Sequence, residues 1–287
     1  ISIGESGAIS SAIFVQYVLS AGEGVTIWTI LVGFLISCAA GLVLGAFNGT
    51  LVSFFNVQPM VATLILFLGG RSIAFIIDGK VSPILANPIS NQIGTVIPGV
   101  PIQTPIILTA VFIALVAVVL KTTNLRLYVE AVGINPSAAR LNGINPKKVI
   151  FLTFLIMGVC SAVAGFIAVN KAGRHDSVNL LKFIMMDAIL AVALGGNSLA
   201  GGKFSISGSI IGAYTIEVLN RTLLRLEVNP EAIKAFKAVF IIILMVIASP
   251  VVRDFARKVI DKAKVIGSGS PIRPAVPISA RSAKKEE

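Results

Sequence analysis

The chain contains few charged residues, and long stretches of it contain none. Only 13% of its 287 residues are charged, against roughly 25% in an average soluble domain. No Asp, Glu, Lys or Arg occurs between Glu23 and Arg71, between Lys80 and Lys121, or between Lys148 and Lys171. A helix needs only about 20 apolar residues to cross a bilayer. The scarcity of charge therefore excludes a soluble globular protein and predicts a polytopic membrane protein.

Residues that hold metal ions or form disulfides are also scarce. The chain has one histidine, His175, and two cysteines, Cys38 and Cys160, which both lie inside apolar runs. A single histidine without clustered cysteines or carboxylates makes no metal site. We interpret the cysteines as small packing residues, with no disulfide implied.

Motifs for catalysis and nucleotide binding are missing as well. The sequence has no Gly-Lys-Ser or Gly-Lys-Thr phosphate loop, and no paired nucleophile, base or metal ligands of a membrane-embedded enzyme. We therefore expect no catalytic residues and no cofactor bound by this chain. The net charge of +11 does not indicate nucleic-acid binding, because no basic cluster lies on a foldable soluble module. An excess of basic residues in inner loops explains it better.

The apolar runs predict an all-α, polytopic transmembrane helical bundle. Eight spans are expected, at residues 4–20, 26–47, 57–77, 104–120, 149–169, 183–199, 206–223 and 235–249. The first contains Glu5 and Gln16 and should face protein rather than lipid. A turn is expected between the second and third, at Asn48-Gly49-Thr50 and the Gln58-Pro59 step. Residues 1–252 form the predicted transmembrane domain, and 253–287 a basic, disordered cytoplasmic tail that can graze anionic lipid.

Basic residues predict the orientation of the bundle. With the loop 121–148 and the tail placed inside, fifteen of the 24 basic residues lie inside and five lie in the opposite loops. This places both ends of the chain in the cytoplasm, and residues 78–103 and 171–182 outside. The loop 78–103 carries four prolines and cannot be a regular helix throughout. It is expected to be either an ordered platform for an external partner or a plain connection.

The inner loop contains the most informative segment, residues 130–144. Asn135 suits a helix N-cap, Pro136 the first helical turn, and Gly143 the stop. Ala138 and Ala139 predict a smooth face that another protein could approach closely. The alternative is an ordinary helix and turn on the membrane surface.

This segment resembles the coupling loop of sugar-importing ABC permeases of the ribose/galactose type, which reads roughly Gly-x-Asn-Pro-x-Ala-Ala-Arg-Leu-x-Gly-Ile. The resemblance implies a contact with a cytoplasmic ATP-binding cassette. The residues expected in that contact are Glu130, Gly133, Asn135, Pro136, Ser137, Ala138, Ala139, Arg140 and Gly143.

A second segment, Leu194-Gly-Gly-Asn-Ser-Leu-Ala-Gly-Gly-Lys203, places four glycines around a polar pair at a span end. They are Gly195, Gly196, Gly201 and Gly202. They allow a tight inner turn and a close approach of helices, and the alternative is a simple helix hairpin. The wording closely matches a stretch of the same permease family.

Polar residues inside the spans are the candidates for a substrate path. Asp187 lies in an apolar span, as a helix-end carboxylate or a substrate contact, and the family often has Asp there before Ala-Ile. The other path candidates are Ser6, Ser10, Ser11, Gln16, Asn48, Asn56 and Thr63. Arg71 is expected to snorkel or to form a pair.

Matches and departures elsewhere refine the resemblance. Ser2-Ile3-Gly4 resembles the end of a family motif, Asp-Leu-Ser-Val-Gly, which implies about two preceding helices and about ten spans in the full protein. Ser72 replaces a family glycine after Arg71, and Arg221 stands where the family usually has Asn. In finer detail, the sequence most resembles the galactofuranose-type branch of the family.

The resemblance implies the permease subunit of an ATP-driven importer in a bacterial cytoplasmic membrane. Its partners would be two ATP-binding cassettes inside, a sugar-binding protein outside, and a second copy or a related permease. The implied cargo is a monosaccharide, and the partners hydrolyse the ATP. One alternative is an ABC permease for branched-chain amino acids. Another is an ion-coupled secondary transporter, which the scarcity of buried acids opposes, because Asp187 is the only strong candidate.

Overall fold

The computed structural model describes residues 2–85, 87–95, 102–182, 184–198, 201–202 and 204–226, and the single positions 232, 235, 236 and 239. These residues form α1 (Ile3–Ser20), α2 (Ile27–Ser53), α3 (Pro59–Ile77), α4 (Pro88–Gly94), α5 (Thr104–Thr122), α6 (Leu125–Ile134), α7 (Pro136–Leu141), α8 (Pro146–Ala172), α9 (Ile184–Leu194) and α10 (Ile206–Arg225), with a 3-10 turn at Gly22–Gly24. Most of the predicted eighth span and all of the predicted tail lie outside the described residues.

The described residues confirm an all-α bundle with membrane-spanning helices. The helices α2, α3, α5 and α8 are long and apolar enough to cross a membrane. The helices α1 and α10 are long enough but more polar, and α9 has only 11 residues. All seven predicted spans in this part of the chain contain a helix, but only four of these helices meet both criteria.

The helix α2 continues through Asn48-Gly49-Thr50, where the sequence predicted a break. Asn48 is satisfied inside the bundle, because its Nδ2 donates to Ser2 Oγ at 2.9 Å. Gly49 lies so close to α8 that an added Cβ would be 3.0 Å from the ring of Phe151. Both residues therefore serve packing rather than a turn. The turn lies at residues 54–58, where Asn56 has a φ of +54°.

Close backbone contacts join α1, α2 and α8. A Cβ added to Gly41 or Gly158 would collide with the backbone of the other, and one on Gly45 would lie 2.5 Å from Phe154 O. Lipid is as apolar as the side chains, so membrane helices associate through close van der Waals packing at small residues. Glycine is therefore required at these crossings.

The start of α1 lies beside the middle of α8. Ser161, fifteen residues after Pro146 at the start of α8, donates its Oγ to Ile3 O at 2.5 Å. The sequence predicted that this end of the chain reaches the inner surface. That placement stays a prediction; the small, polar first turn of α1 is packed against α8.

The segment between α8 and α9 folds back into the bundle. Leu181, with a φ of +59°, lies against the first turn of α1: a Cβ on Gly4 would be 2.7 Å from Leu181 O, and one on Gly7 would be 2.7 Å from the Leu181 side chain. Leu181 is therefore level with the middle of α8, and α9 begins three residues later. The predicted full span at 183–199 is wrong, since α9 is about 16 Å long, roughly half of a 30 Å hydrocarbon core.

The predicted outer loop is ordered over its described part, 78–85 and 87–95. Ile84 and Arg174 form an antiparallel bridge, and Leu85 N donates to Gly173 O at 2.9 Å. Ser90 Oγ donates to Asn170 Oδ1 at 2.5 Å. These contacts fasten the loop to the end of α8. Its use as a platform for an external partner stays a prediction.

The orientation can be tested by labelling single cysteines in a chain whose Cys38 and Cys160 are replaced by alanine. Because basic residues favour the inside, cysteines at the exposed positions Val81 and Arg174 should react with an impermeant maleimide in intact cells. A cysteine at exposed Ser137 should react only after permeabilisation. A cysteine at buried Ser90 is the control and should react in neither case. Labelling at Ser137 but not at Val81 in intact cells would contradict the orientation.

Candidate functional site

The segment 121–148, which the sequence predicts to be an inner loop, contains two short helices, α6 and α7, that share one capping residue. Asn135 follows α6 and caps α7, because its Oδ1 accepts hydrogen bonds from Ser137 N at 3.0 Å and Ala138 N at 3.1 Å. Pro136 is the first residue of α7, and Gly143 follows the helix with a φ of +79°. The predicted cap, first turn and stop are confirmed.

Ala138 and Ala139 do not share an open face, which corrects the sequence interpretation. Ala139 is only 4% exposed and packs against Val132 and Val149. Consecutive residues of a helix point about 100° apart, so burying one leaves the other outside. Ala138 is exposed, and Leu141, three residues further on the same side of α7, is 90% exposed. We call Ala138 and Leu141 the α7 patch.

The glycine turn after α9 touches the end of α6. A Cβ on Gly133 would lie 2.9 Å from Gly202 N, and one on Gly201 would lie 2.6 Å from Gly133 O. Gly201 and Gly202 have φ values of +97° and +104°, which strain any residue with a Cβ. Two segments about 70 residues apart in the chain therefore meet backbone to backbone.

A polar contact lies beside this meeting point. Arg126 Nε pairs with Glu130 Oε1 at 3.1 Å, and Arg126 Nη2 donates to Phe204 O at 3.4 Å. The guanidinium also lies 5.8 Å from the centroid of the Phe204 ring. Glu130 thus orients Arg126 toward the glycine turn. Neither Arg126 nor Phe204 was predicted from the sequence, although the i, i+4 spacing of Arg126 and Glu130 was a usable signal.

The helices α9 and α10 form a tightly closed hairpin. Gly195 packs directly against Gly208, and Gly212 against Ala191, too closely for a Cβ on either glycine. Across the turn, Asn197 Nδ2 donates to Ser209 Oγ at 2.8 Å and Asn197 Oδ1 accepts from Ser205 N at 2.6 Å. With Gly196 at a φ of +78°, all four predicted turn glycines lie in the hairpin connection.

Three of the predicted path residues lie together between α1 and α2. Ser6 and Ser10 are one turn apart on α1, Asn48 is bonded to Ser2 one turn before Ser6, and all are fully buried. Within the described residues, Ser6 Oγ, Ser10 Oγ and Asn48 Oδ1 have no hydrogen-bond partner. Buried polar atoms are normally paired with protein or water, so these three unpaired atoms are exceptional among the buried polar groups of the bundle.

The remaining path candidates are placed differently. Thr63 Oγ1 donates to Pro59 O of its own helix at 2.9 Å, and Ser11 Oγ donates to Gly7 O at 2.7 Å. Gln16 is half-buried near the end of α1, and Asn56 is exposed in the turn before α3. The structure does not gather these four around Ser6.

Asp187 lies in the first turn of α9 and is half-buried. A carboxylate at this place stabilises a helix through its dipole. The prediction that Asp187 is the only strong buried acid is wrong. Glu5 and Asp78 are both 1% exposed, and each has a charged or basic partner.

Arg71 connects α3 to Glu5 and to the segment that folds back. Its Nε pairs with Glu5 Oε1 at 3.3 Å. Its Nη1 donates to the carbonyls of Ser177, Val178 and Leu180 at 3.2, 2.9 and 3.2 Å. Irregular backbone inside a membrane protein needs such partners, because lipid offers none. The prediction that Arg71 forms a pair is confirmed.

Ser11, His175 and Asp78 form a buried row in the bundle. Asp78 Oδ2 lies 2.6 Å from His175 Nδ1, and His175 Nε2 lies 3.0 Å from Ser11 Oγ. Ser177 Oγ also bonds to Asp78. The order matches a hydrolase triad, but all of these side chains are buried. The row therefore joins α1, α3 and the segment after α8 and reaches no substrate.

Two cavities of the described region are apolar. One of about 260 Å³ lies between α2, α5 and α8, and one of about 530 Å³ between α5, α8 and α9. Both are lined almost entirely by aliphatic side chains and Phe112. Among the described residues, no three His, Cys, Asp or Glu side chains are placed to hold a metal ion.

The chain is similar in sequence to a known protein family and to several transport proteins. Residues 1–249 match the family described as "Branched-chain amino acid transport system / permease component". The fructose import permease protein FruF of Bifidobacterium longum (strain NCC 2705) is 36% identical over 261 residues, which cover 89% of this chain and 71% of that protein. The galactofuranose transporter permease protein YtfT of Escherichia coli K12 is 34% identical over 73% of this chain and 61% of its own length.

The ribose import permease protein RbsC of Escherichia coli K12 is 32% identical over 73% of this chain and 66% of its own length. The chain thus spans about two thirds of the length of these relatives, between 61% and 71%. No solved structure matches it.

Replacing Arg71 by glutamine should destabilise the folded protein. The change leaves Glu5 buried without its partner, which costs about 3–5 kcal/mol for a fully buried pair. Arg71 is 21% exposed, so we expect the lower end of that range. Thermal unfolding of the purified protein in detergent measures it. The double variant Glu5→Gln/Arg71→Gln should recover part of the loss.

The matched control is Arg221→Gln. Arg221 pairs with Glu217 at 2.7 Å, but both side chains are more than half exposed, and such pairs contribute little. A melting temperature equally lowered by Arg221→Gln, or a double variant no more stable than Arg71→Gln, would contradict the assigned role of the Arg71–Glu5 pair.

Proposed function

Because the chain belongs to the ABC-transporter permease family whose model it matches, among the sugar import permeases of the ribose/galactose type, we propose that it forms the monosaccharide path of an ATP-driven importer. The chain is a multi-pass membrane permease subunit and not itself an enzyme. The proposed membrane is the bacterial cytoplasmic membrane.

The proposed importer divides the work between subunits. Two ATP-binding cassettes on the inner side hydrolyse ATP, and a soluble sugar-binding protein delivers the cargo on the outer side. A second copy of this chain, or a related permease, completes the path. The permease then contributes alternating access, which requires that cassettes and binding protein contact it differently in its two states.

The observation that carries the proposal is the α7 patch in a basic inner segment. Leu141 is 90% exposed on a short, capped helix, beside Ala138, which offers no bulk. Burying a leucine side chain stabilises a contact by about 1.5–3 kcal/mol. The patch suits a packed contact with a cassette, and Ser137 and Arg140 border it. Ala139 supports the helix from beneath.

The buried hydroxyls of α1 support a sugar as the cargo. Ser6, Ser10 and Asn48 offer neutral groups that both donate and accept hydrogen bonds, which matches a sugar hydroxyl. Asp187 is proposed as a further contact, from the first turn of α9. Gln16, Asn56 and Thr63 stay proposed members of the path at its margins. Weak contacts suffice, since the binding protein selects the sugar.

The two alternatives are less well supported. An amino acid is a zwitterion and needs charged partners, whereas Ser6, Ser10 and Asn48 offer hydroxyls and an amide, and the charged Glu5 of α1 is paired with Arg71. The relatives compared above carry sugars by their names. An ion-coupled carrier would use free buried carboxylates, whereas Glu5 and Asp78 are bonded to Arg71 and His175.

Transport by the reconstituted complex tests the function. Vesicles containing the full-length permease, its cassettes and its binding protein should take up labelled fructose, ribose or galactose with ATP inside. The permease alone should hydrolyse no ATP and accumulate no sugar, because it has no phosphate loop. Labelled leucine should not enter. Uptake of leucine alone would favour the amino-acid alternative, and ion-driven uptake by the isolated permease would contradict the proposal.

Leu141→Asp should weaken cassette binding by about ten- to a hundredfold. The change removes roughly 1.5–3 kcal/mol of apolar burial, and each 1.4 kcal/mol corresponds to about tenfold in affinity. Leu141→Met keeps an apolar side chain of similar volume and serves as the control. Co-purification and titration of cassettes against the detergent-solubilised permease measure the effect. Unchanged affinity in Leu141→Asp would exclude the α7 patch from the contact.

A further inference from the structure

We propose that the contact between the end of α6 and the turn of the α9–α10 hairpin transmits movement between the cassette side and the sugar path. We call this contact the junction; it comprises Gly133, Gly201, Gly202, Arg126 and Phe204. Arg126 and Phe204 are positioning residues, which act through the helices they hold. The inference rests on the proposed function and specifies the route of coupling within it.

The centre of the junction is a contact between backbones. A Cβ added to Gly201 would lie 2.6 Å from Gly133 O, and a Cβ added to Gly133 would lie 2.9 Å from Gly202 N. Side chains can change rotamer to absorb a displacement, whereas two backbones in contact cannot. A push on α6 toward the turn must therefore move the turn.

Arg126 holds the two sides of the junction together. Its guanidinium is fixed at one end by Glu130 at 3.1 Å, and at the other it reaches the Phe204 carbonyl at 3.4 Å and the face of the Phe204 ring. A cation over an aromatic ring contributes roughly 0.5–1 kcal/mol at an exposed site. The glycine contact resists approach and the arginine contact resists separation, so the turn follows α6 in both directions.

The hairpin carries the movement away from the junction as one piece. The crossings of Gly195 with Gly208 and of Gly212 with Ala191 hold α9 and α10 in close contact, and the hydrogen bonds of Asn197 to Ser205 and Ser209 join the hairpin across its turn. The far end of α9 lies against α1, since Ile184 Cγ2 is 3.5 Å from a Cβ built on Gly4. The distance along α9 is about 16 Å.

The far end of the hairpin lies beside the polar group of α1. Gly4 is two residues before Ser6, and Asp187 is in the first turn of α9. A displacement that begins at α7 thus reaches the start of α9 through α6, the junction and the hairpin. Coupling free energies are reciprocal, so docking of the binding protein should act on the cassettes by the same route.

The test uses the full-length permease with its cassettes and binding protein in vesicles, with ATP hydrolysis measured with and without the binding protein. Arg126→Gln should leave basal hydrolysis and cassette co-purification unchanged and reduce the stimulation by the binding protein about threefold or more. Arg126→Lys keeps the charge beside Glu130 and should restore part of it. A merely structural role would change the amount of assembled complex rather than the stimulation per complex.

Gly133→Ala tests the centre of the junction, with Gly69→Ala as its matched control. A Cβ on Gly133 must push the turn away, whereas one on Gly69, also in a helix, meets nothing within 4 Å. Gly133→Ala should lower the sugar imported per ATP hydrolysed about threefold, and Gly69→Ala should not. In the double variant Gly133→Ala/Arg126→Gln, the loss of sugar imported per ATP hydrolysed should be smaller than the sum of the losses in the two single variants, because both changes act on one contact.

If the binding protein stimulates ATP hydrolysis in Arg126→Gln as strongly as in the wild type, the proposal is overturned, whether or not Gly133→Ala folds. An equal loss in Gly69→Ala would overturn it too. The proposed function fails in a different way: the wild-type complex would then import none of the labelled fructose, ribose and galactose. Stimulated ATP hydrolysis would still test the junction in that case.

Discussion

Hydrogen bonding of the backbone inside the membrane is the constraint on which this structure depends. The segment after α8 turns back to the level of Ser161 without forming a helix, so its carbonyls need partners that lipid does not supply. One guanidinium, that of Arg71, bonds to three of them and is balanced by Glu5. Because those carbonyls are satisfied, α9 can begin in the interior, next to the first turn of α1.

The short α9 gives the inner half of the molecule its arrangement. An 11-residue helix brings the chain from the interior to the glycine turn, and the turn then meets α6. The helices α6 and α7, the hairpin and the polar face of α1 are thereby joined in one series of contacts. A full-length span at α9 would have separated the glycine turn from the first turn of α1 by the thickness of the membrane.

The features that local chemistry determines could be predicted from the sequence. Uncharged runs predicted the apolar helices, and Asn135, Pro136 and Gly143 predicted the bounds of α7, because a cap, a fixed φ and a positive φ act within one turn. The resemblance of residues 130–144 and 194–203 predicted the family. In each case the signal and the structure that it produces occupy the same few residues.

The features that depend on residues distant in the chain could not be predicted from the sequence. Asn48 and Gly49 look like a turn until Ser2 and α8 are placed beside them. Glu5 and Asp78 lie near predicted span ends, and nothing local shows that Arg71 and His175 draw them into the interior. Ala139 looked open because the neighbours that cover it are on α6 and α8. The meeting of Gly133 with Gly202 depends on the fold-back before α9, which no periodicity marks.

The contrast between α5 and the glycine crossings has a consequence for how this sequence can diverge. Among the residues of α5 only Thr104 and Pro105 are buried, so selection on this helix acts on its average affinity for hydrocarbon. Leu, Ile, Val and Phe are interchangeable there, and drift should be rapid. Gly41 and Gly158 each face the other's backbone and admit no replacement on their own. Relatives should therefore differ most where this chain is most hydrophobic and least where its side chains are smallest.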